Sequence, residues 1–217
     1  MIKLIQGPSA ELFPDDLDAM FRSRARVFSE RLGWNVVVKD GYERDRFDDE
    51  NPLYLVSVDP WSGEYWGSLR LLPTTGPNML RDVFPFLLNN DDVIESATIW
   101  ECSRICAIST GGQRKCARGW VNDVLAELLA GMTDVATLAG LTQIVAVFDA
   151  RIFRVLKSAS CKPQLIGTPR RIGETMSYAG IFDVGCEAFQ RTLRSGIGID
   201  GSVLAPGAKE IMKELVL

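Results

Sequence analysis

The alternation of hydrophobic and polar positions along the chain predicts an antiparallel pair of strands followed by a strand–helix–strand unit. Apolar residues alternate with polar ones over residues 53–58 and 64–72, which predicts a β-hairpin. Residues 99–108 and 142–148 are apolar runs typical of buried strands, and residues 118–138 between them repeat apolar positions at helical spacing. This order indicates an α/β fold in which helices cover both faces of a mixed sheet.

Shorter patterns predict the elements around this unit. A helix over residues 14–32 ends at Gly33, and its apolar stripe contains Arg24. The other predicted elements are an edge strand over 2–5, helices over 79–88, 149–158 and 208–216, a strand at 164–166, a turn at 170–171 and a strand over 175–182. Because no repeat, linker or low-complexity segment interrupts the chain, we expect one domain over residues 1–217.

The composition is that of a globular domain and narrows its environment. The chain has 217 residues, of which 47% are hydrophobic and 24% are charged, and its net charge is −4. A negative net charge argues against binding to nucleic acid or to anionic membranes. The chain shows no apolar run of transmembrane length and no secretion signal, and its five cysteines are unevenly spaced. We therefore expect a reduced, cytoplasmic protein.

Histidine is absent from the chain, and this absence restricts the chemistry that it can perform. Nucleophilic catalysis by a Ser-His-Asp or Cys-His pair within the chain is excluded, and the commonest ligand of zinc and iron sites is missing. We therefore expect no metal site. A general base has to be a carboxylate, lysine, tyrosine, cysteine, backbone group or water.

Charged residues inside apolar elements are the candidates for chemistry. Glu101 and Arg104 lie in the central apolar strand, where an ionised group without a partner is strongly unfavourable. Side chains alternate along a strand, so these two share a face only if a β-bulge inserts one residue between them. We expect Arg24, Arg70 and the acidic loop 39–50 to supply their partners. These residues fit either a structural ion-pair network or a functional site.

A set of separated motifs closely resembles the acyl-homoserine lactone synthases, the LuxI-type autoinducer synthases of Gram-negative bacteria. The likeness extends over about residues 20–180, and it is specific because many charged and aromatic positions keep their order and spacing. The motifs are Arg24-x-x-Val27-Phe28, Trp34, Glu43-Arg44-Asp45-x-x-Asp48, Arg70-Leu71-Leu72-Pro73, Phe84 and Glu101-x-Ser103-Arg104. Residues 114–119 match more weakly the anion-binding Q/R-x-x-G-x-G/A loop of GNAT-class acetyltransferases.

The resemblance implies a GNAT-like α/β/α sandwich whose central mixed sheet is splayed into a V. Such enzymes acylate the α-amine of S-adenosylmethionine with an acyl group from an acyl-CoA or acyl carrier protein thioester. The methionine carboxylate then closes on its own γ-carbon, which releases 5′-methylthioadenosine and an acyl-homoserine lactone, a quorum-sensing signal. S-adenosylmethionine is a substrate here, and no cofactor is expected. The resemblance further implies that residues 1–110 bind S-adenosylmethionine and residues 111–217 bind the acyl donor.

The resemblance also implies roles for individual residues. Glu101 is expected to act as the base, directly or through a water, with a backbone carbonyl of the same strand as the alternative. Arg104 or Arg24 is expected to hold the methionine carboxylate, and the rings of Phe28 and Trp34 to contact adenine or the sulfonium. The substrate-binding set is Arg24, Phe28, Trp34, Asp45, Asp48, Arg70, Phe84, Ser103 and Ile105, beside the catalytic Glu101 and Arg104. The expected acyl pocket consists of Met79, Leu125, Met132, Ala146, Phe148, Phe153 and Leu156.

Two features bear on the acyl donor. Family members that prefer 3-oxo chains carry Thr where Ala146 stands, so the resemblance implies a chain without a 3-oxo group. A basic patch in the second half suits an acidic acyl carrier protein; it consists of Arg151, Arg154, Lys157, Lys162, Arg170 and Arg171. The alternative functions are a GNAT-class N-acyltransferase that uses acyl-CoA on another amine, and a non-enzymatic acyl-binding module.

Overall fold

A seven-stranded mixed sheet forms the centre of the computed structural model, which describes residues 1–89, 92–108, 123–159 and 161–215. The described strands are β1 (Ile2–Ile5), β2 (Val38–Lys39), β3 (Tyr42–Glu43), β4 (Leu53–Val58), β5 (Tyr65–Pro73), β6 (Ile99–Ala107), β7 (Gln143–Asp149), β8 (Gln164–Ile172) and β9 (Thr175–Phe182). The spatial order in the large sheet is β1-β4-β5-β6-β7-β9-β8, while β2 and β3 form a separate ribbon. Strands β6 and β7 pair in parallel, and the other neighbouring strands pair antiparallel.

Helices cover both faces of the sheet, as the sequence predicts. They are α1 (Pro14–Arg24) with its π-helical continuation Ala25–Arg31, α2 (Met79–Asp82), α3 (Asp123–Ala139), α4 (Ala150–Ser158), α5 (Glu187–Ile197) and α6 (Ala208–Leu215), besides 3₁₀ turns at Gly7–Leu12, Arg46–Asp49 and Pro85–Leu87. The alternation of β4 sends Leu53 and Leu55 into the core beneath α3, and Tyr54 and Val56 into the core beneath α1. The predicted α/β/α sandwich is therefore confirmed.

The sheet is splayed because its central parallel pair is short. Residues Ile99 to Cys102 of β6 pair with Gln143 to Ala146 of β7, although both strands continue further. Beyond this pairing the two strands diverge, and a cavity occupies the space between them. The splay therefore places the candidate site at the carboxyl ends of β6 and β7.

The predicted β-bulge in β6 is present, and it lies at Arg104 itself. Arg70 of β5 pairs with Ser103, whereas Ser68, two residues earlier in β5, pairs with Cys106, so β6 carries one extra residue. Arg104 adopts a left-handed conformation with φ 54°, which costs a non-glycine residue roughly 1–3 kcal/mol. The bulge turns the Arg104 side chain to the face that Glu101 occupies, as expected.

Several predicted elements differ from the structure. The first helix changes to π-helical geometry after Arg24, and the helix expected over 79–88 is broken at Val83 and Phe84 into α2 and a 3₁₀ turn. Residues 170–171 belong to β8, because the chain reverses later, at Gly173 with φ 58°. Helix α5 was not predicted.

Some predictions fall outside the described residues. They concern the loop 109–115, the motif 114–119 and the start of the helix expected at residue 118. Within the described ranges, no helix combines the length and apolar character needed to cross a membrane.

Candidate active site

A network of three arginines and three carboxylates is buried on the face of the sheet that α1 and α2 cover. Its members are Arg24, Arg70, Arg104, Glu43, Asp45 and Asp48. Equal numbers of opposite charges make the network formally neutral. Such a set is stable in a dry interior only while every member keeps its partners.

Arg24 joins the first helix to the acidic loop. Its Nε donates to Glu43 Oε2 at 2.6 Å, and its Nη1 and Nη2 donate to the two carboxylate oxygens of Asp48 at 2.7 and 2.9 Å. Burial by itself raises the pKa of the Asp48 carboxyl, but the hydrogen bond and positive charge of Arg24, helped by Arg70, outweigh it and hold that pKa well below its ordinary value. Asp48 is therefore ionised at neutral pH and fixes the loop to α1.

Arg70 binds two carboxylates of the same loop, one of which it shares with Arg24. Its Nη1 donates to Asp45 Oδ1 at 2.6 Å and to Asp48 Oδ1 at 2.8 Å, and its Nε donates to Ser103 Oγ at 3.1 Å. The loop is prepared for this contact because Asp45 caps the 3₁₀ turn and accepts from the Phe47 backbone N–H at 3.0 Å. Arg70 thus connects the acidic loop to the strand that carries Glu101.

Arg104 occupies the boundary between this network and open space. Its Nη2 donates to Glu43 Oε1 and lies 2.8 Å from Asp45 Oδ2, while its Nη1 donates to Met79 Sδ at 3.2 Å. Its guanidinium carbon lies 5.0 Å from the Phe28 ring centroid, a cation–π contact. A thioether is a weak acceptor, so Nη1 retains the capacity to bind a stronger one.

Glu101 forms no ion pair with the arginine network, contrary to expectation. Its carboxylate accepts the backbone N–H groups of Met79 at 2.9 Å and Leu80 at 2.6 Å, at the start of α2. No described residue forms an ion pair with it. Burial raises the pKa of Glu101, and the two N–H donors, with the positive charges of Arg70 and Arg104, oppose that rise only in part. A carboxyl with a raised pKa at a cavity wall is suited to accept a proton.

Two cavities adjoin at this place. An apolar cavity of about 300 Å³ runs between β6 and β7, and a polar cleft of about 790 Å³ lies between the acidic loop and α2. Within the described part of the chain, four residues line both: Trp34, Met79, Phe84 and Arg104. The Trp34 ring lies 5.3 Å from that of Phe28 and 6.4 Å from that of Phe84, centroid to centroid, so aromatic rings form the junction. The site therefore offers two adjacent compartments, and charged residues form a larger share of the cleft lining than of the cavity lining.

The structure sorts the predicted site residues into three groups. The apolar cavity is lined by Phe28, Trp34, Met79, Phe84, Glu101, Ser103, Arg104, Ile105, Leu125, Met132, Ala146, Phe148 and Leu156. Asp45 lines only the polar cleft. The last group, Arg24, Asp48, Arg70 and Phe153, lines neither cavity: the first three are buried behind the wall of the cleft, and Phe153 stacks on the outer side of Phe148 at 5.9 Å between centroids.

The prediction omitted residues whose sequence signals are weak. Glu43 is fully buried and holds both Arg24 and Arg104; it belongs to one of the motifs of the resemblance but was not assigned to the site. Tyr54 donates to Asp48 Oδ1 at 2.8 Å from an ordinary strand. Val27, Leu129 and other apolar lining residues cannot be told from core residues by sequence pattern.

Comparison with known families decides the assignment. A family model described as autoinducer synthase matches residues 9–192. The chain belongs to this family. An autoinducer synthase relative, the acyl-homoserine-lactone synthase of Rhizobium etli, is 39% identical over 199 residues, which cover 91% of this chain and 90% of the relative.

Solved structures agree with the assignment to the autoinducer synthases. The CoA-dependent acyl-homoserine lactone synthase MesI is 26% identical, with a TM-score of 0.80 over 95% of this chain and 100% of its own. The CoA-dependent synthase BjaI, solved with SAM and isopentyl-CoA, is 24% identical and shares the fold, with a TM-score of 0.80 over 99% of both chains. The expected activity is thereby confirmed: this autoinducer synthase is an acyltransferase of the acyl-homoserine-lactone synthase type.

Proposed function

We propose that S-adenosylmethionine binds in the polar cleft, that the acyl thioester binds in the apolar cavity, and that the two react at the shared wall. The observation that carries this proposal is the junction of the two compartments at Trp34, Met79, Phe84 and Arg104. A polar, charged substrate and an apolar chain need different surroundings but have to bring one amine and one thioester together.

In the acylation step, Glu101 acts as the general base. The attacking amine has to lose a proton before its nitrogen bonds to the thioester carbonyl carbon, and the C–S bond then breaks to release a thiol. Glu101 accepts that proton directly or through a water. Cys102 also lines the cavity, but burial raises the pKa of its thiol to about 12, which makes it unsuitable as a base at neutral pH. The strand carbonyl alternative stays open.

In the lactone-forming step, Arg104 binds the methionine carboxylate. Its Nη1 donates to the weak acceptor Met79 Sδ, which a carboxylate would displace. A carboxylate oxygen then attacks the γ-carbon, and the bond from that carbon to the sulfonium breaks, leaving neutral 5′-methylthioadenosine. The buried indole N–H of Trp34 has no partner among the described residues and is free to donate to the nucleoside.

The two halves of the chain contribute unequally to the two compartments. Residues before 110 supply most of the polar cleft, and Ile172 and Gly173 complete it. The apolar cavity takes its reacting end from β6 and its acyl-binding walls from α3, β7 and α4. We therefore restrict the proposed division of the chain, with residues 1–110 for S-adenosylmethionine and residues 111–217 for the donor, to the parts of the two walls that lie away from the junction. Arg24, Asp48 and Arg70 act as positioning residues in this scheme.

The acyl donor we favour is an acyl-CoA. The support is the likeness to MesI and BjaI, both described as CoA-dependent. An acyl carrier protein is the second candidate, because Arg151, Arg154 and Lys157 are exposed on α4 beside the cavity. Ala146 lies buried in the cavity wall without a hydroxyl, which supports a chain lacking a 3-oxo group.

One assay tests the proposal. The protein is incubated with S-adenosylmethionine and a panel of acyl-CoA and acyl carrier protein donors, and products are identified by mass spectrometry. We expect equal amounts of 5′-methylthioadenosine and acyl-homoserine lactone with at least one donor. Acylation of another amine without methylthioadenosine release would favour the GNAT-class alternative, and no reaction with any donor would contradict both.

A further inference from the structure

A tyrosine of the sheet reaches the buried carboxylate that two arginines of the network share. Tyr54 of β4 is the cross-strand partner of Arg70 of β5, so the two side chains lie next to each other on one face of the sheet. The Tyr54 hydroxyl donates to Asp48 Oδ1 at 2.8 Å, and Arg70 Nη1 donates to the same oxygen at 2.8 Å. Tyr54 is buried and lines neither of the two cavities. Its hydroxyl therefore acts on the site through Asp48.

Asp48 has more hydrogen-bond donors than its two oxygens can fully bond. Besides Tyr54 and Arg70, its Oδ1 accepts from Arg24 Nη1 at 2.7 Å. Its Oδ2 accepts from Arg24 Nη2 at 2.9 Å and from the Asp45 backbone N–H at 2.8 Å. A carboxylate offers about four lone-pair sites, so these five donors have to share them. Each donor therefore limits how closely the others bind, and removal of one strengthens the hold of Asp48 on the rest.

This competition matters because Arg70 has a second carboxylate to hold. The Nη1 that binds Asp48 also donates to Asp45 Oδ1 at 2.6 Å, and Nη2 donates to Asp45 Oδ2 at 3.1 Å. Asp45 lines the polar cleft, whereas Asp48 does not. The opposite side of the guanidinium is fixed separately, because Nε donates to Ser103 Oγ at 3.1 Å. A stronger hold of Asp48 on Nη1 would therefore weaken the contact with Asp45 first.

We propose that Tyr54 is a positioning residue for S-adenosylmethionine, because its hydroxyl occupies part of Asp48 Oδ1 and so keeps Arg70 on Asp45 in the cleft wall. The inference rests on the proposed function, in which S-adenosylmethionine binds in that cleft. A phenol suits this task since it donates without adding charge to a formally neutral network. Burial and the negative charge of Asp48 raise the pKa of Tyr54, so the hydroxyl keeps its proton at neutral pH. Its ring packs edge-on against that of Phe21, 6.3 Å between centroids, which fixes the direction of the hydroxyl.

The test removes one hydroxyl and keeps the ring. In Tyr54→Phe, the dissociation constant of S-adenosylmethionine, measured by calorimetry, and its KM should both rise about three- to tenfold. The KM of the acyl donor should change less than about twofold. Tyr65→Phe is the matched control, because Tyr65 packs against the same apolar cluster, lines neither cavity and pairs its hydroxyl with that of the neutral Ser68 at 2.9 Å. This control should keep the wild-type KM for both substrates.

The outcomes separate a positioning role from a role in stability alone. A variant that only folds less well loses kcat in proportion to its folded fraction, which melting curves give, and keeps both KM values. That result in Tyr54→Phe would overturn the inference, and so would an equal rise of the KM for S-adenosylmethionine in Tyr65→Phe. A wild-type protein that does not bind S-adenosylmethionine would contradict the proposed function and this inference with it. Equal binding of S-adenosylmethionine by wild type and Tyr54→Phe would overturn this inference alone.

Discussion

The wall of the polar cleft and the wall of the apolar cavity are held together by different interactions, although both include Arg104. The cleft wall is fixed by paired charges, each of which needs its partner, as Arg24 needs Glu43 and Asp48. The cavity wall consists of apolar side chains such as Leu125 and Met132, which fix the volume of the cavity but make no directional contacts. Substitutions should therefore act as all-or-none changes in the first wall and as graded changes in the second.

The largest expected effect tests the point where the walls meet. Glu101→Gln should lower kcat/KM about 10²–10⁴-fold, because an amide cannot accept the proton from the amine. In wild type, the rate should rise with pH as Glu101 ionises, and this rise should lie above the ordinary carboxyl range because burial raises its pKa. Measuring the release of 5′-methylthioadenosine across pH gives both the loss of kcat/KM in the variant and the pH at which the wild-type rate rises. A wild-type rate in a folded Glu101→Gln protein would remove Glu101 from the chemistry.

The second effect tests the charged wall. Asp48→Asn should lower the free energy of unfolding by about 3–5 kcal/mol at pH 7, since Arg24 and Arg70 lose a buried partner. Because the pKa of Asp48 lies below 3.8 in the folded protein, its stabilisation is complete above that pH and is lost as the pH falls. Urea unfolding should thus show the difference shrinking in acid. The exposed Asp49→Asn should change stability by less than about 1 kcal/mol.

The third effect tests how tightly the apolar wall is packed. A Cβ on Gly180 would lie 3.0 Å from the edge of the Phe148 ring and 2.9 Å from Pro163 Cβ, closer than normal contact. Gly180→Ala should lower the free energy of unfolding by about 1–3 kcal/mol and slow long-chain donors more than short ones. Thermal melting and a donor-length series measure this. Gly76→Ala, whose Cβ would meet nothing closer than 4.0 Å, is the control.

The smallest effect concerns a single hydroxyl in the apolar wall. Ala146→Thr should raise the preference for 3-oxoacyl over unsubstituted donors about fivefold, because the hydroxyl can donate to the 3-oxygen. Ala146→Val adds a side chain of similar shape without the hydroxyl and should not produce this change. Competition between the two donors gives the ratio directly. An equal shift in both variants would assign the effect to volume.

The difference between the walls also explains what the sequence could reveal. Arg24, Arg70 and Glu101 were identifiable because an ionisable residue in an apolar stripe or strand conflicts with its surroundings. Their partners were not identifiable, since these depend on how the loop folds. Glu101 accepts hydrogen bonds from the start of α2 rather than from an arginine, and Glu43 is the acid that pairs with Arg104. The cavity residues match an ordinary core in pattern, so only the resemblance pointed to them.

The limits of the fold prediction have similar causes. The strands β4, β5, β6 and β7 follow from local alternation and apolar runs, and they were placed to within one or two residues. The π-helical geometry of Ala25–Arg31 and the length of the β6–β7 pairing depend on tertiary packing. Helix α5 was missed although its apolar positions Leu193 and Ile197 are spaced by four.

Met79 has a consequence for attempts to redesign this enzyme. Its backbone N–H donates to Glu101, and its side chain lines both compartments. A substitution at this position keeps the backbone N–H, but a side chain of different volume shifts the start of α2 and with it the hydrogen bond that helps set the acidity of the base. Product selectivity and pH optimum are consequently coupled traits here, and a library that varies Met79 should be screened at several pH values.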